Sequence, residues 1–226
     1  YDEPVDLFVA TQWLHVDQKQ IAACLGLPPG LVRLTLGGVG GAFGAREDLS
    51  MQVHGAMLAL HTNRPVKIVY SREESFYGHV HRHPARIRME HRANRDGKLV
   101  CVRALILIDG GAYASSSTAV ISNACSFAVG PYAIENALIE GTCVYTNNPP
   151  CGAMRGFGAV QSCFAAEAQM DKLAAALGMG SVELRLRNAL APGDSLPTGQ
   201  KITGSLPVAE VIRRAAAIPV PEPEEL

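Results

Sequence analysis

The sequence lacks the features expected of a protein that spans a membrane or binds nucleic acid. Its 226 residues contain no apolar run approaching the roughly 18 residues that a membrane-spanning helix needs. The 20 basic residues are balanced by 21 acidic ones, so no positive excess favours nucleic acid or an anionic lipid surface. The start at Tyr1-Asp2-Glu3-Pro4 is unlike a basic signal peptide. We expect a cytoplasmic protein with neither nucleic acid nor membrane as partner.

Cysteine pairs of the C-x-x-C type are also missing. Such pairs are typical of zinc and iron–sulfur sites, so the sequence predicts neither kind of site. We expect reduced and mostly buried thiols at the six cysteine positions. These positions are Cys24, Cys101, Cys125, Cys143, Cys151 and Cys163.

Glycine and proline, in contrast, are abundant. The 22 glycines and 14 prolines favour tight turns and ordered loops over a plain helical bundle. Because strands and helices alternate without a regular strand–helix–strand order, we predict an α+β fold with mixed sheets and packed helices. We expect one region over residues 1–218, followed by a tail rich in proline and glutamate over residues 219–226.

Hydrophobic periodicity predicts the individual elements. The predicted strands cover residues 6–12, 31–36, 65–70, 86–95, 98–109 and 137–146, with a hairpin turn at Asp96-Gly97. Helices are expected at residues 17–25, 115–127, 182–188 and 207–217. Two further helices are defined by apolar stripes. One stripe comprises Leu49, Val53, Met57 and Leu60, and the other comprises Cys163, Ala166, Met170, Leu173 and Leu177.

A glycine-rich loop over residues 37–48 is the most distinctive segment. Its four glycines within residues 37–41 let backbone amides approach a bulky anionic ligand. We expect a helix that begins near Arg46 or Glu47 to direct its positive end into the same space. The spacing fits neither a Walker loop nor a complete G-x-G-x-x-G motif. A turn made only for packing is the alternative for this loop taken alone.

A second loop, over residues 147–158, strengthens the functional interpretation. Arg155 is followed by Gly156 and Phe157, and a helix is predicted to begin directly after them. We therefore expect a cation, an aromatic ring and free backbone amides close together in this loop. An arginine that only braces a turn is the alternative.

The two loops resemble two motifs of the molybdenum-binding large subunit of xanthine dehydrogenases and aldehyde oxidases. The first motif is similar to Gly40-Gly41-Ala42-Phe43-Gly44-Ala45-Arg46-Glu47, and the second to Gly152-Ala153-Met154-Arg155-Gly156-Phe157-Gly158. Thr11-Gln12 resembles a third element, and the match in order and spacing runs from about Leu7 to about Gln200. The resemblance implies the first molybdenum-cofactor-binding region of that family.

The resemblance also implies roles for individual residues. It implies cofactor-binding roles for Gln12, Gly41, Ala42, Phe43, Gly44 and Arg155. Three of these, Gln12, Phe43 and Arg155, would lie in the environment of molybdenum without binding the metal directly. Substrate-binding roles are implied for Phe43, Glu47, Asn123 and Phe157. Catalytic roles are implied for Gln12, Glu47 and Arg155.

Two positions bear on the substrate. Glu47 falls where xanthine-oxidising members place a substrate-binding carboxylate and where aldehyde oxidases usually have an apolar residue. A glutamate that only caps a helix is the alternative. The same xanthine-oxidising members have an arginine at the position of Asn123, so one charged contact is missing here. Molybdenum–copper carbon monoxide dehydrogenases carry a cysteine at the position of Gly156, which argues against that activity.

By this resemblance the chain is a component of a molybdenum hydroxylase. The enzyme would oxidise a purine or a related N-heterocycle of the xanthine or hypoxanthine type, with oxygen derived from water. Its cofactor would be molybdenum–molybdopterin, with the cytosine dinucleotide form left open, and 2Fe-2S and FAD centres are expected on partner subunits. The remaining half of the molybdenum domain, with the general-base glutamate of the family, is also expected outside this chain. The alternatives are an aldehyde-oxidising member and an inactive truncated scaffold.

Two charged groups near the middle of the chain receive no functional prediction. The alternation His79-x-His81-x-His83 could place three rings in line on a strand, but Arg82 and Pro84 interrupt it, and we do not predict a metal site. The neighbouring arginines are predicted to form a solvated or subunit-facing surface. They are Arg72, Arg82, Arg86, Arg88, Arg92 and Arg95.

Overall fold

The structure is a computed structural model that describes residues 3–219. Its contacts group the chain into two compact units. Unit 1 consists of Tyr1–Pro84, Asp109–Val120 and Val144–Phe157, and unit 2 consists of Ala85–Ile108, Ile121–Cys143 and Gly158–Leu226. Residues 220–226 of the predicted tail lie outside the described residues. No helix of the described part is long and apolar enough to cross a membrane.

Unit 1 begins with a parallel pair of strands joined by a helix. Its elements are β1 (Val5–Val9), α1 (Leu14–Leu25), a 3-10 turn (Pro29–Leu31), β2 (Val32–Leu36), α2 (Gln52–Thr62) and α3 (Arg72–Gly78). The two strands pair in parallel, with Val5 opposite Val32. This strand–helix–strand unit is an arrangement that the sequence analysis did not predict.

The core of unit 1 forms between these strands and the helices α1 and α2. Its fully buried members are Val5, Ile21, Ala22, Leu27, Val32 and Ala56. The predicted stripe residues Leu49, Val53 and Leu60 pack against this core. Met57, however, is 53% exposed, so its predicted core position is wrong. The small Ala56 occupies the buried face of α2 instead, one position earlier.

Two segments of unit 1 differ from the predictions. The strand predicted over residues 65–70 is absent: this segment has no helix, turn, bend or strand pairing. Helix α3, which follows it, was not predicted. It begins with a capping box, in which the Glu74 amide donates to Ser71 Oγ (3.2 Å) and the Ser71 amide donates to the Glu74 carboxylate (2.7 Å).

Most of the remaining elements belong to unit 2. Strands β3 (Ala85–Ala93), β4 (Leu99–Gly111) and β5 (Asn136–Tyr145) form a sheet in the order β3-β4-β5. The predicted hairpin is confirmed, because β3 and β4 pair antiparallel around the turn at Asp96-Gly97. The helices are α4 (Ser117–Ser126), α5 (Ala159–Leu177), α6 (Ser181–Asn188) and α7 (Val208–Ala216). The mixture of sheets and packed helices confirms the α+β class.

Helix α5 covers the sheet of unit 2 with a face that differs from the predicted one. Its buried residues are Ser162, Ala166, Met170 and Ala174. Cys163 is exposed, so its predicted place on the buried stripe is wrong. The expectation of mostly buried thiols is wrong too. None of the six cysteines forms a disulfide within the described residues, and among them only Cys151 is buried.

A buried asparagine joins the β3–β4 turn to the end of α6. Asn188 is completely buried, and its side-chain oxygen accepts from the Leu99 amide at 2.8 Å. Its side-chain nitrogen donates to the carbonyls of Gly97 (2.7 Å) and Leu184 (2.9 Å). Because each of its polar atoms has a partner, the buried amide fixes this corner without an unsatisfied group.

His91 on β3 makes the stability of unit 2 depend on pH. Both of its ring nitrogens are buried and have no hydrogen-bond partner within residues 3–219. Desolvation lowers the pKa of His91 from its usual 6.5 to about 4, with nearby Glu167 opposing the shift. Because the unfolded chain binds this proton more readily, the stabilising contribution is complete above pH 6.5 and is lost as the pH falls towards 4.

We therefore expect His91→Phe to flatten the pH dependence of stability. Between pH 7 and pH 4.5, the unfolding free energy of the parent chain should fall by about 2 kcal/mol more than that of the variant, after allowance for partial solvent screening. Urea denaturation at both pH values measures this difference. His15→Phe, at an exposed position on α1, is the control. Equal pH dependence in the parent and His91→Phe would contradict the assignment.

Candidate functional site

The first glycine-rich loop follows β2 as a stretch of exposed backbone. Residues 37–41 are exposed, and the amides of residues 38–43 donate to no acceptor within residues 3–219. Unpaired amides of this kind attract anionic ligands. The helix expected near Arg46 or Glu47 does not begin there, because residues 43–46 form a turn, residues 47–48 a bend, and α2 begins at Gln52. The loop therefore offers its own amides rather than a helix end.

Gln12 connects the end of β1 to this loop. The Gly44 amide donates to Gln12 Oε1 at 3.0 Å, and the Gln12 amide donates to the Arg46 carbonyl at 2.9 Å. The hydroxyl of Thr11 also donates to the Arg46 carbonyl, at 3.3 Å. The Nε2 group of Gln12 faces the Glu47 carboxylate at 3.5 Å. The Thr11-Gln12 pair thus holds the loop from one side through both backbone and side chain.

The first loop meets the second through direct backbone contact. Gly44 has a φ of +95°, and a Cβ at this position would lie 2.7 Å from the carbonyl carbon and oxygen of Ala153. Only glycine satisfies both conditions, because it has no Cβ and tolerates positive φ. The preceding Phe43 also has a positive φ, of 53°. Its side chain is 64% exposed, so the ring projects from the loop.

Arg155 of the second loop lies against the ring of Phe43. Its guanidinium carbon is 5.4 Å from the ring centroid, a cation–π contact typically worth about 0.5–1 kcal/mol at an exposed site. The backbone of Arg155 is held as well, because Arg82 Nη2 donates to the Arg155 carbonyl at 2.7 Å. Arg82 was predicted to belong to a solvated or subunit-facing surface, and the structure shows that its guanidinium also binds within the chain. Its Nη1 atom is buried, without a partner among the described residues.

Two acidic residues follow Phe43 in the same loop. Glu47 is half-buried, and its pKa is raised, mainly by desolvation and also by the nearby Asp48 carboxylate. Asp48 accepts from Ser115 Oγ at 2.7 Å through one oxygen. Its other oxygen is buried without a partner in the described chain and lies 2.6 Å from where a Cβ of residue 152 would be. Asp48 therefore braces the loop, while Glu47 is the carboxylate available to a ligand.

The structure brings together most of the predicted site residues. The cluster formed by Gln12, Phe43, Gly44, Glu47 and Arg155 lies within unit 1, and Gly41 and Ala42 belong to the same loop as Phe43. Phe157 is half-buried at the end of the second loop, with a φ of 47°, and its amide donates to the Met154 carbonyl at 2.7 Å. Asn123 lies on α4 in unit 2. Its predicted substrate role remains a prediction.

Sequence reasoning missed the supporting residues of this cluster. Asp48, Ser115 and Arg82 hold the two loops, yet no local motif marks them, because their partners are 67 and 73 residues away in the chain. The nearby His83 is buried and forms a 2.7 Å hydrogen bond with Ser117 Oγ. Among residues 3–219, no three histidine, cysteine, aspartate or glutamate side chains are grouped so as to hold a metal ion.

Gly44→Ala tests the contact between the loops. The new methyl group would overlap the Ala153 backbone at positive φ, so we expect the unfolding free energy to fall by about 1–3 kcal/mol. Urea denaturation followed by the fluorescence of Trp13, the single tryptophan and the neighbour of Gln12, measures the loss. Gly38→Ala is the matched control, because a Cβ there would meet nothing within 4 Å. Equal stability of the two variants would contradict the proposed constraint.

Comparison with known proteins agrees with this geometry. A family model described as "Molybdopterin cofactor-binding domain" matches residues 1–189. The "Nicotinate dehydrogenase large molybdopterin subunit" of Eubacterium barkeri is 42% identical over 207 residues, which are 92% of this chain and 49% of that protein. A probable xanthine dehydrogenase component of Bacillus subtilis is 36% identical over 214 residues, which are 95% of this chain and 29% of that protein.

A solved structure shows the same similarity in three dimensions. The aldehyde oxidoreductase from Desulfovibrio gigas superposes with a TM-score of 0.89 at 31% sequence identity. The superposition covers 94% of this chain and 23% of that chain. The chain thus spans about half or less of the length of these similar proteins, from 49% of the nicotinate dehydrogenase subunit to 23% of the aldehyde oxidoreductase.

Proposed function

This chain belongs to the family of molybdopterin cofactor-binding domains, and we propose that it forms one wall of the active site of a molybdenum hydroxylase. The predicted family is confirmed by the family match over residues 1–189 and by the relatives. The observation that carries the proposal is the Gln12 carboxamide. It holds the Gly44 amide with its oxygen and faces the Glu47 carboxylate with its nitrogen.

The residues of the cluster fit a molybdopterin cofactor. Molybdopterin carries a phosphate group, and the unpaired amides of residues 38–43 and the cation of Arg155 suit an anionic ligand. The residues that would hold the cofactor are Gln12, Gly41, Ala42, Phe43, Gly44 and Arg155. The contacts of this cluster do not distinguish molybdopterin from its cytosine dinucleotide form.

The bound cofactor would supply two-electron oxidation of a substrate carbon, with water as the oxygen source. The residues of this chain would position groups around the cofactor rather than carry out the oxidation. Gln12 uses its carboxamide oxygen to position the Gly44 amide, which leaves Nε2 hydrogens for a ligand or for Glu47. Arg155 places positive charge beside the exposed ring of Phe43. We assign Gln12, Glu47 and Arg155 the catalytic roles and leave the general base to the part of the enzyme outside this chain.

The substrate that this cluster suits best is a purine or a related N-heterocycle. Phe43 and Phe157 offer aromatic faces for a planar ring. The half-buried Glu47 can accept a hydrogen bond from a ring N–H when ionised and donate one to a ring nitrogen when protonated. Desolvation raises its pKa above that of an ordinary glutamate. We keep Asn123 as a neutral substrate contact. Two relatives bear the names of dehydrogenases of N-heterocycles, nicotinate and xanthine.

Aldehyde oxidation is the second candidate. The specific observation that favours it is the solved structure of an aldehyde oxidoreductase at 31% identity. The carboxylate at position 47 favours the heterocycle instead, because an aldehyde offers no N–H for it to bind. An inactive truncated relative is the third possibility, and metal analysis distinguishes it from both enzymes.

The proposal requires partners. Because the chain covers 49% of one relative and 29% of another, we propose that the remaining half of the molybdenum domain lies outside these residues. We propose 2Fe-2S and FAD centres on partner subunits, to which the electrons pass. We propose a reducing, cytoplasmic location, in which the six cysteines would remain thiols.

Gln12→Ala and Arg155→Ala test the cofactor site in the assembled enzyme. Gln12→Ala removes the hydrogen bond that positions the Gly44 amide, and Arg155→Ala removes the positive charge beside Phe43. We therefore expect molybdenum content or turnover to fall roughly 10- to 100-fold, as for other residues that support a metal site. Metal analysis of the purified assembly and single-turnover reduction measure the two quantities. Gln20→Ala and Arg213→Ala, at exposed positions, are the matched controls. Parental values for both test variants, or an assembly without molybdenum, would contradict the proposal.

Glu47→Val tests the choice of substrate. Removing the carboxylate should lower kcat/KM for purines by roughly 10- to 100-fold, the effect expected for one lost hydrogen bond to a charged group. Turnover of aldehydes should fall by less than about threefold, so the preference shifts towards aldehydes. Glu73→Val on α3, an exposed glutamate outside the cluster, is the control. An unchanged ratio of purine to aldehyde turnover would remove Glu47 from the substrate site.

A further inference from the structure

A groove of about 670 Å³ lies in unit 1 along β1. It is lined by β1 with Ala10 and by Pro65, Val66, Ile68, Val69 and Tyr70, and we call these two segments its walls. The small residues Gly55, Ala56 and Ala59 of α2 also line it, and we call them its floor. No residue of β2 lines the groove, so it borders the edge of β1 that faces away from β2. We call this feature the β1 groove.

Both walls of the β1 groove are backbone edges without partners. β1 pairs only with β2 among the described strands, which leaves its other edge open. In the other wall, the amides and carbonyls of residues 66–70 form no hydrogen bond within residues 3–219. Unpaired donors and acceptors thus occur in two segments that line one space. An extended polypeptide between these segments can pair with both of them, one on each of its edges.

The size of the β1 groove matches one strand. A strand in a packed sheet occupies roughly 160 Å³ per residue, from a rise of about 3.3 Å, a spacing of about 4.8 Å and a packing distance of about 10 Å. The groove volume of about 670 Å³ then corresponds to about four residues. This length is close to the five residues of β1. A small-molecule ligand would leave most of the backbone groups in both walls unpaired.

Apolar side chains of both walls suit a strand with apolar residues, although the lining also includes Arg46, Ser50, Met51, Gln52, Ser75 and His79. Val69 is 72% exposed and Phe8 is 82% exposed, and both line the groove. The glycine and alanines of the floor leave room for bulky side chains from a strand above them. A docked strand would therefore cover exposed apolar surface as well as pair with the backbone on both sides.

We propose that the β1 groove accepts an extended strand from the part of the large molybdenum subunit that lies outside these 226 residues. The chain covers 49% and 29% of two relatives, so proteins of this kind contain further polypeptide that could provide such a strand. The inference rests on the proposed function only in requiring that this further polypeptide is present. Pairing between two copies of the chain is an outcome that the test excludes or reveals.

Hydrogen–deuterium exchange tests the proposal by comparing the 226-residue chain with the assembled molybdenum enzyme. In the assembly, amides in residues 5–10 and 66–70 should exchange roughly tenfold or more slowly than in the chain alone. Amides of α6, in unit 2, are the internal reference. Slow exchange in both samples, no slowing on assembly, or slowing of one wall only would overturn the proposal. Slowing of both walls in the chain alone that increases with its concentration would show self-pairing and overturn it as well.

A substitution separates strand docking from the function of the enzyme. Val69→Lys should leave the chain folded, because the side chain is largely exposed, but should lower the yield of assembly roughly tenfold by placing a charge in the groove. Val16→Lys, at an exposed position on α1, is the matched control and should assemble normally. An equal yield for the two variants would overturn the proposal. Molybdenum content is measured separately. An assembly in which the amides of both walls exchange slowly but which contains no molybdenum would support strand docking and contradict the proposed function.

Discussion

The candidate site depends on one constraint, the approach of two loops to backbone contact at Gly44 and Ala153. A side chain at position 44 would collide with the Ala153 carbonyl, so the absence of a Cβ sets the distance between the loops. That distance places the Arg155 guanidinium 5.4 Å from the Phe43 ring. The Gly44 amide is fixed in turn by Gln12 at 3.0 Å. A single backbone position therefore relates the cation, the ring and the carboxamide to one another.

The parts of the fold that local patterns determine were predicted, and the parts that distant partners determine were not. Asp96-Gly97 predicted the β3–β4 hairpin, because a turn depends on neighbouring residues. Residues 65–70 have the composition of a strand, but a strand also needs a paired edge, and the described chain supplies none. Helix α3 was missed although its capping-box residues, Ser71 and Glu74, are visible in the sequence.

The site residues also divide into those that the local sequence marks and those that depend on distant partners. The loops and Gln12 were found through their resemblance to a family, and the structure places Gln12 within hydrogen-bond reach of both Gly44 and Glu47. Arg82 was assigned to a solvated or subunit-facing surface, and its partner, the Arg155 carbonyl 73 residues later, was not predicted. Such a pairing leaves no periodic or local signal in the sequence. Supporting residues of this kind are recognised only when the fold brings the two segments together.

The β1 groove and the site share a structural element, and this links assembly to chemistry. Thr11 and Gln12 follow β1 almost directly, and both bind the Arg46 carbonyl that closes the first loop. A strand paired along the open edge of β1 would restrict the motion of β1 and of the two residues that follow it. The carboxamide of Gln12 would then hold Gly44 from a strand supported on both edges rather than on one. Under the strand-docking proposal, the position of the loop amides would thus depend on how completely β1 is paired.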